Sequence, residues 1–214
     1  EKYKKEVLVV RNISPTFHLD HLPTKAELDI PENTFLVIIQ GAGINVDRGS
    51  EEAIEAMKLL ENACLMIVGD GDVVAQLKET VEREQLNEKV RFYGKRPYAE
   101  MMAFTHHADV GLTLDKPTNL NYLYSLPNKV FDYIHASTPI IATDLVEIKR
   151  IIEQHELGTI LPELTPENLA NAIRDLQENS SKLEQFKANC ALAAKVENWE
   201  SEQHILEEIY PKVD

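Results

Sequence analysis

Runs of apolar residues alternate along the chain with segments whose apolar residues recur at helical spacing. The runs at 35–39, 64–68 and 140–142 are continuous, which indicates strands buried on both faces. Between the runs, apolar residues lie three and four positions apart, as in amphipathic helices. The pattern predicts strands at 7–10, 35–39, 64–68, 90–93, 109–114, 140–143 and 158–161, helices at 50–60, 73–83, 98–107, 128–136 and 146–154, a helix opened by Thr165-Pro166-Glu167, and polar helices after Asn179.

This alternation predicts an α/β fold with a doubly wound, parallel, Rossmann-like sheet, followed by C-terminal helices. In such folds ligands bind beyond the carboxyl ends of the strands. The candidate functional loops are therefore 41–49, 69–72, 94–97, 115–128 and 143–147. The stretch 115–124 is the longest irregular segment between predicted elements, and long loops of this kind tend to carry function.

Composition narrows the classes of partner. The 214 residues are 43% apolar, which is enough for a sizeable core. The net charge of −14 argues against a nucleic-acid partner, which would require a basic stripe, and against broad adhesion to anionic membranes. A phosphate ligand would have to be held by a few local cations against an unfavourable overall field.

The two cysteines, Cys64 and Cys190, lie far apart and predict neither a disulfide framework nor a zinc site. Cys64 falls in an apolar run and is expected in the core. This fits a cytosolic protein, with membrane association of a full-length form left open. The sequence has no signal peptide and starts at Glu1 without methionine, so we expect a piece of a longer protein.

Polar residues mark the start of the helix predicted at 128–136. Pro127 suits the first helical position, and Lys129 with the free N–H groups of the first turn would suit a phosphate. Ser125, Asn128 or Lys129, and Asp132 recur at helical spacing and would share one face. An acid one turn beyond the phosphate suits ribose hydroxyls. The alternative is a surface ion pair between Lys129 and Asp132.

The loop after the strand 35–39 contains Gly41-Ala42-Gly43 and ends at Arg48-Gly49. Paired glycines let the backbone approach an anion, and Arg48 would supply a bidentate charge. A plain strand-to-helix turn is the alternative. This is not a dinucleotide fingerprint, because Val46 occupies the third glycine position, so a dehydrogenase is disfavoured.

Two further turns carry polar residues. Gly69-Asp70-Gly71-Asp72 resembles an Asp-x-Asp metal pair, but a strand-to-helix turn is the wrong context and an ordinary turn is favoured. The strand 90–93 is followed by Gly94-Lys95-Arg96, which could offer backbone groups to a base and charge to phosphates. A plain basic loop is the alternative.

In this order the motifs resemble the C-terminal, donor-binding half of GT-B-fold glycosyltransferases, in the group 1 family that includes many retaining hexosyltransferases. The resemblance covers roughly residues 7–210. It is carried by Gln40-Gly41 through Arg48-Gly49, Glu52-Ala53, Val68 to Gly71, Val90 to Gly94, Ala108 to Leu112, Ser125 to Tyr133, Pro139 to Asp144 and Thr165 to Ala170.

The resemblance implies transfer of a hexose from a nucleotide-diphosphate sugar, with no separate cofactor and no metal. Asp132 would bind the ribose, Arg48 and Lys129 the diphosphate, and the loop after the strand 90–93 would border the base. The donor-binding set is Gly41, Gly43, Arg48, Gly49, Gly94, Lys95, Ser125, Leu126, Asn128, Lys129 and Asp132. No catalytic residue is assigned to this half.

The expected partners are the nucleotide sugar, an acceptor glycan or lipid-linked glycan, and the protein's own N-terminal domain. The expected division is 1–33 as linker and first strand, 34–180 as the nucleotide-sugar-binding domain and 181–214 as a helical segment. Two positions depart from the family pattern: Tyr124 stands where many relatives have an acid, and Ala42 where many have an arginine. Two alternatives stay open, a sugar-nucleotide epimerase of the same fold and a non-catalytic nucleotide-binding or scaffold module.

Overall fold

The structure is a computed structural model that describes residues 8–19 and 21–210. The strands are β1 Phe35–Gly41, β2 Ala63–Gly69, β3 Val90–Phe92, β4 Val110–Thr113, β5 Ile140–Thr143 and β6 Gly158–Leu161. The helices are α1 Ser50–Met57, α2 Val74–Arg83, α3 Tyr98–His107, α4 Leu120–Leu123, α5 Lys129–His135, α6 Val146–His155, α7 Pro166–Glu178, α8 Ser180–Ala193 and α9 Trp199–Ile209.

The six strands form one sheet in the order β3-β2-β1-β4-β5-β6, and every neighbouring pair is parallel. At the centre, Val37 of β1 pairs with Leu65 of β2 on one side and Val110 of β4 on the other. The chain therefore winds outward from β1 to β3, returns to the centre at β4 and winds outward again to β6. This confirms the predicted doubly wound sheet.

The core lies on both faces of this sheet, which explains why the strands read as continuous apolar runs. Along β1, Val37 and Ile39 belong to one buried cluster, while Leu36 and Ile38 belong to the other. The first cluster is completed by α1, α2 and α7, and the second by α3, α5, α6 and α8. These helices bury apolar side chains in the two clusters.

Most of the predicted elements are confirmed, and α7 begins as its sequence requires. The Thr165 side chain accepts a hydrogen bond of 3.1 Å from the backbone N–H of Asn168. Pro166, which has no N–H to leave unpaired, occupies the first turn. The polar sequence after Asn179 forms α8 and α9, as predicted.

The strand predicted at 7–10 is wrong over residues 8–10, which have no regular structure; Val7 lies outside the described residues. Leu8 and Val9 are 50% and 68% exposed. A short apolar run that lies outside the sheet has no neighbouring strand to pair with. The spacing of its apolar residues alone does not reveal this. A second difference is α4, a short helix inside the stretch 115–124 that was predicted as irregular.

The segment after residue 10 packs against the start of α9. The Arg11 guanidinium lies 2.8 Å from Glu197 and 3.1 Å from Glu202, and both glutamates are buried. The backbone N–H of Trp199 donates to the Ser14 carbonyl oxygen at 3.2 Å. The division into 1–33, 34–180 and 181–214 stays a prediction. Within the described residues, none of the helices combines the length and apolar character needed to cross a membrane.

Candidate functional site

The centre of the sheet provides the site. From β1 the chain crosses by α1 to β2, whereas from β4 it continues by α5 to β5, so the two connections leave in opposite directions. This is the switch point of a doubly wound sheet, where a crevice opens beyond the carboxyl ends of the strands. The loops that border it are 42–49, after β1, and 114–128, after β4. These are two of the five loops that the sequence indicated.

Arg48 belongs to the first of these loops, and its guanidinium contacts two residues of the second. Its Nη1 donates to the carboxylate oxygens of Asp115 at 3.1 and 3.2 Å. Its guanidinium lies over the ring of Tyr122, 4.7 Å from the centroid, in a cation–π contact. The Nε of Arg48 is buried and has no hydrogen-bond partner in the part of the chain that the structure describes. The guanidinium is therefore fixed in direction before any ligand arrives.

The two loops are also joined through their backbones. The N–H of Lys116 donates to the Asp47 carbonyl oxygen at 2.9 Å, and the Lys116 ammonium lies 2.7 Å from the Glu52 carboxylate. Gly49 has a φ of 73°, and a Cβ there would lie 2.7 Å from the Leu114 carbonyl oxygen. Gly49 is buried and makes the close approach of the loops possible, because it packs against Leu114, the residue that follows β4.

Lys129, the first residue of α5, supplies the second cation. The residue is partly exposed, and its ammonium has no hydrogen bond or ion pair with any residue in 8–19 or 21–210. Burial lowers the pKa of Lys129; the positive charge of Arg48 lowers it further, while Asp115 opposes the shift. The three charged groups of Arg48, Asp115 and Lys129 therefore influence one another across the crevice.

Asp132, one turn further along α5, is buried in a network that reaches the end of β1. Its Oδ2 accepts from the Gln40 amide at 3.0 Å and its Oδ1 from the Tyr98 hydroxyl at 2.8 Å. The other end of the Gln40 amide accepts from the Thr105 hydroxyl. Burial raises the pKa of Asp132, although the hydrogen bonds from Tyr98 and Gln40 act in the opposite direction. The alternative of a surface ion pair between Lys129 and Asp132 is wrong.

The start of α5 differs in detail from the prediction. Asn128 is the N-terminal cap, so Pro127 precedes the helix, and its carbonyl oxygen accepts from the Val130 N–H at 3.0 Å. Ser125 lies outside the helix and donates to the Tyr122 carbonyl oxygen at 3.0 Å. The expectation that Ser125 shares a helical face with Asp132 is therefore wrong, because the helix begins too late.

The remaining predicted residues surround the same edge. At Gly41 and Gly94, both with positive φ, an added Cβ would meet no atom within 4 Å, so these backbones face open space. Gly43 is equally uncrowded, with its nearest neighbour at 3.9 Å. Lys95 and Asn128 are exposed, and Leu126 packs against the core cluster of α3 and α5. Their assignment to donor binding stays a prediction.

The Gly69–Asp72 turn is built by its own aspartates. Asp70 accepts from the Gly71 N–H at 2.8 Å, and Asp72 accepts from the Val46 N–H at 3.2 Å. Among the described residues there is no group of three side chains that could hold a metal ion. The ordinary-turn interpretation fits these contacts.

The volumes of the cavities do not identify the candidate site. A cavity of about 920 Å³ runs along the edge strand β3, and its walls include Lys78, Arg91 and Phe92. A smaller one of about 690 Å³ lies beside the β4–α5 loop, against Tyr124 and Leu126. We place the site at the switch point, because the cations Arg48 and Lys129 are there.

Four residues that shape the site were not assigned to it from the sequence: Gln40, Tyr98, Asp115 and Tyr122. Asp115 could have been found, since it directly follows the buried strand β4 at the edge where ligands bind. Gln40 is a buried polar residue at the end of an apolar strand, which is a similar signal. No sequence signal indicates the contacts of Tyr98 and Tyr122, which depend on how α3 and α4 are placed.

The family of this chain follows from comparison with known proteins. The model of the family described as glycosyl transferases group 1 matches residues 22–192. The chain belongs to this family. Among curated relatives, the amylovoran biosynthesis glycosyltransferase AmsK of Erwinia amylovora is 26% identical over 174 residues, which are 79% of this chain and 42% of AmsK. The lipopolysaccharide core biosynthesis glycosyltransferase LpsD of Rhizobium meliloti is 26% identical over 87% of this chain and 51% of LpsD.

Solved structures share the fold. Anabaena HepE, solved in complex with UDP-glucose, superposes with a TM-score of 0.73 at 18% identity, over 86% of this chain and 50% of HepE. WaaG, a glycosyltransferase involved in lipopolysaccharide biosynthesis, gives 0.68 at 18% identity, over 85% of this chain and 49% of WaaG. The chain therefore has the Rossmann-like architecture of one half of a GT-B protein. It spans about half the length of these relatives.

Proposed function

We propose that this chain is the donor-binding half of a glycosyltransferase that moves a hexose from a nucleotide-diphosphate sugar to a saccharide or lipid-linked acceptor. The observation that carries the proposal is the pair of cations, Arg48 and Lys129, at the switch point of a group 1 family member. Arg48 is already oriented, and the Lys129 ammonium has no partner among the described residues.

The electrostatics favour a diphosphate at this place. The chain as a whole carries a charge of −14, so an anion is repelled except where local cations dominate. Arg48 and Lys129 stand at the edge of a sheet whose core excludes water, where a charge acts more strongly than in bulk solvent. When the bond between sugar and phosphate breaks, the same cations would stabilise the charge that develops on the leaving nucleotide.

The relatives support the class of donor and acceptor. HepE has been solved with UDP and with UDP-glucose, which supports a nucleotide sugar here. AmsK is named for amylovoran biosynthesis and LpsD for lipopolysaccharide core biosynthesis, and a relative from Mycobacterium leprae is named as a phosphatidyl-myo-inositol mannosyltransferase. Because the chain spans about half of these proteins, we assign acceptor binding and the remaining catalytic groups to the other half of a longer protein.

We assign the ribose to Asp132. Asp132 is 5% exposed and its partner Tyr98 is 41% exposed, so a ligand that displaces the Tyr98 hydroxyl would reach this side of the carboxylate. A ribose hydroxyl would share Oδ1 with the Tyr98 hydroxyl or replace it, while Gln40 keeps Oδ2 in position. Because burial already disfavours the charged form of Asp132, a sugar hydroxyl that donates a hydrogen bond would stabilise it.

Calorimetric titration with UDP, GDP and ADP tests the proposal. We expect saturable binding of one of them, weakened about tenfold or more by Arg48→Met and by Lys129→Met, since each loses a charge-assisted contact. Lys182→Met is the matched control, because Lys182 pairs with Asp175 on the distant helices α7 and α8. Absence of binding to the folded full-length protein, or equal binding by all variants, would overturn the proposal.

Activity of the full-length protein gives the second test. We expect Asp132→Ala to abolish sugar transfer while the protein stays folded. Transfer at the wild-type rate by this variant would remove Asp132 from the donor site.

A further inference from the structure

A buried carboxylate lies beside the proposed diphosphate site, where a negative charge works against an anionic ligand. The side chain of Asp115 is 0% exposed. Its carboxylate has one ion-pair partner in the described part of the chain, the Arg48 guanidinium at 3.1 Å. Its backbone carbonyl accepts from the Thr143 hydroxyl at 2.7 Å, which ties the end of β4 to the end of β5. Burying a charge is costly, so this arrangement calls for an explanation.

Two cations and two acids form the site. Arg48 and Lys129 are the cations, and Asp115 and Asp132 are the acids. The charge of Lys116 is balanced by the Glu52 carboxylate, which lies 2.7 Å from its ammonium. Removing the charge of Asp115 would therefore make the site more positive. The contact between Asp115 and Arg48 also competes directly with a phosphate, because Asp115 occupies Nη1 of the guanidinium.

We propose that Asp115 is a positioning residue that holds the Arg48 guanidinium in place and limits the affinity of the site for the nucleoside diphosphate product. This rests on the proposed function. Transfer of the sugar leaves the terminal phosphate with additional negative charge, so an uncompensated pair of cations would hold the product more tightly than the donor. Asp115 weakens this preference and lets the nucleotide leave.

Two substitutions test the proposal by removing the charge while keeping an acceptor for Arg48. We expect Asp115→Asn, and also Asp115→Ser, to tighten binding of the nucleoside diphosphate about tenfold in the full-length protein, with a steeper loss of affinity as salt increases. Asp175→Asn is the control, since it changes the net charge equally from the exposed ion pair with Lys182.

Kinetics separate positioning from a structural role. If product release is limiting, Asp115→Asn should lower kcat and KM together and should increase inhibition by added nucleoside diphosphate. Unchanged or weaker nucleotide binding by a folded variant would overturn the proposal. Failure of both variants to fold would also overturn it, because Asp115 would then be required for folding rather than for affinity.

The two proposals fail in distinguishable ways. If the wild-type protein binds none of UDP, GDP and ADP, the proposed function fails. If the wild type binds one of them and Lys129→Met weakens binding, but the Asp115 variants bind like the wild type, only the role of Asp115 fails.

Discussion

Replacing Gly49 with alanine tests how tightly the loop that carries Arg48 packs against Leu114, the residue that follows β4. Gly49 has a φ of 73°, and its added Cβ would lie 2.7 Å from the Leu114 carbonyl oxygen and 3.2 Å from Leu164. The left-handed backbone alone costs a non-glycine residue about 1 kcal/mol. Forcing a methyl group into a packed contact adds about 2 kcal/mol. We therefore expect Gly49→Ala to lower the free energy of unfolding by about 3 kcal/mol.

Gly94→Ala provides the matched control. Gly94 has a φ of 68°, but its added Cβ would meet no atom within 4 Å, so only the backbone term of about 1 kcal/mol applies. Denaturant unfolding of the wild type and both variants measures the two losses in free energy of unfolding. The comparison holds when the three proteins show the same dependence of that free energy on denaturant concentration. The difference between the two losses isolates the packing term. Equal losses for the two variants would refute the close contact between Gly49 and Leu114.

Three further predictions concern stability and reactivity. Because burial lowers the pKa of Lys129 below its ordinary 10.5, the unfolded chain binds more protons between the two values, and stability rises with pH through that window. Lys129→Met should flatten the part of this rise in the unfolding midpoint that lies below the ordinary pKa of 10.5, and an unchanged rise would contradict it. Arg11→Met should lower the free energy of unfolding by about 2 kcal/mol, since it removes the guanidinium that pairs with the buried carboxylates of Glu197 and Glu202. Arg150→Met, which breaks an exposed pair, is its control and should cost less than about 1 kcal/mol; equal losses would contradict the prediction. Burial raises the pKa of Cys64 to about 11, so a thiol reagent at neutral pH should modify it only after denaturation; rapid labelling of the folded chain would count against this.

The sheet could be predicted from sequence because its signal is local and repeated. The strands β1, β2 and β5 are short apolar runs, and burial on both faces makes these runs continuous. The cap and the proline at the start of α7 are equally local, and they lie where predicted. The topology also predicts which edge of the sheet carries the candidate site. Arg48 and Lys129 were predicted there because they belong to the connections that follow β1 and β4.

The contacts within the site could not be predicted in the same way. The pairing of Arg48 with Asp115 joins residues 67 positions apart, and that of Gln40 with Asp132 joins residues 92 apart. Such pairs depend on how two loops and two helices meet, which no period in the sequence encodes. The run at 7–10 shows the opposite error: its pattern resembles a strand, but the sheet has no place for it.

The contact between Arg11 and Glu202 has a consequence for the order in which parts of the chain fold during synthesis. The two residues are 191 positions apart, so Arg11 leaves the ribosome long before its partners are synthesised. Until then its segment has no acidic groups of α9 to bind, although the sheet can already assemble. Docking of this segment is therefore among the last steps of folding, and a nascent chain stalled before residue 197 should leave it open to proteases.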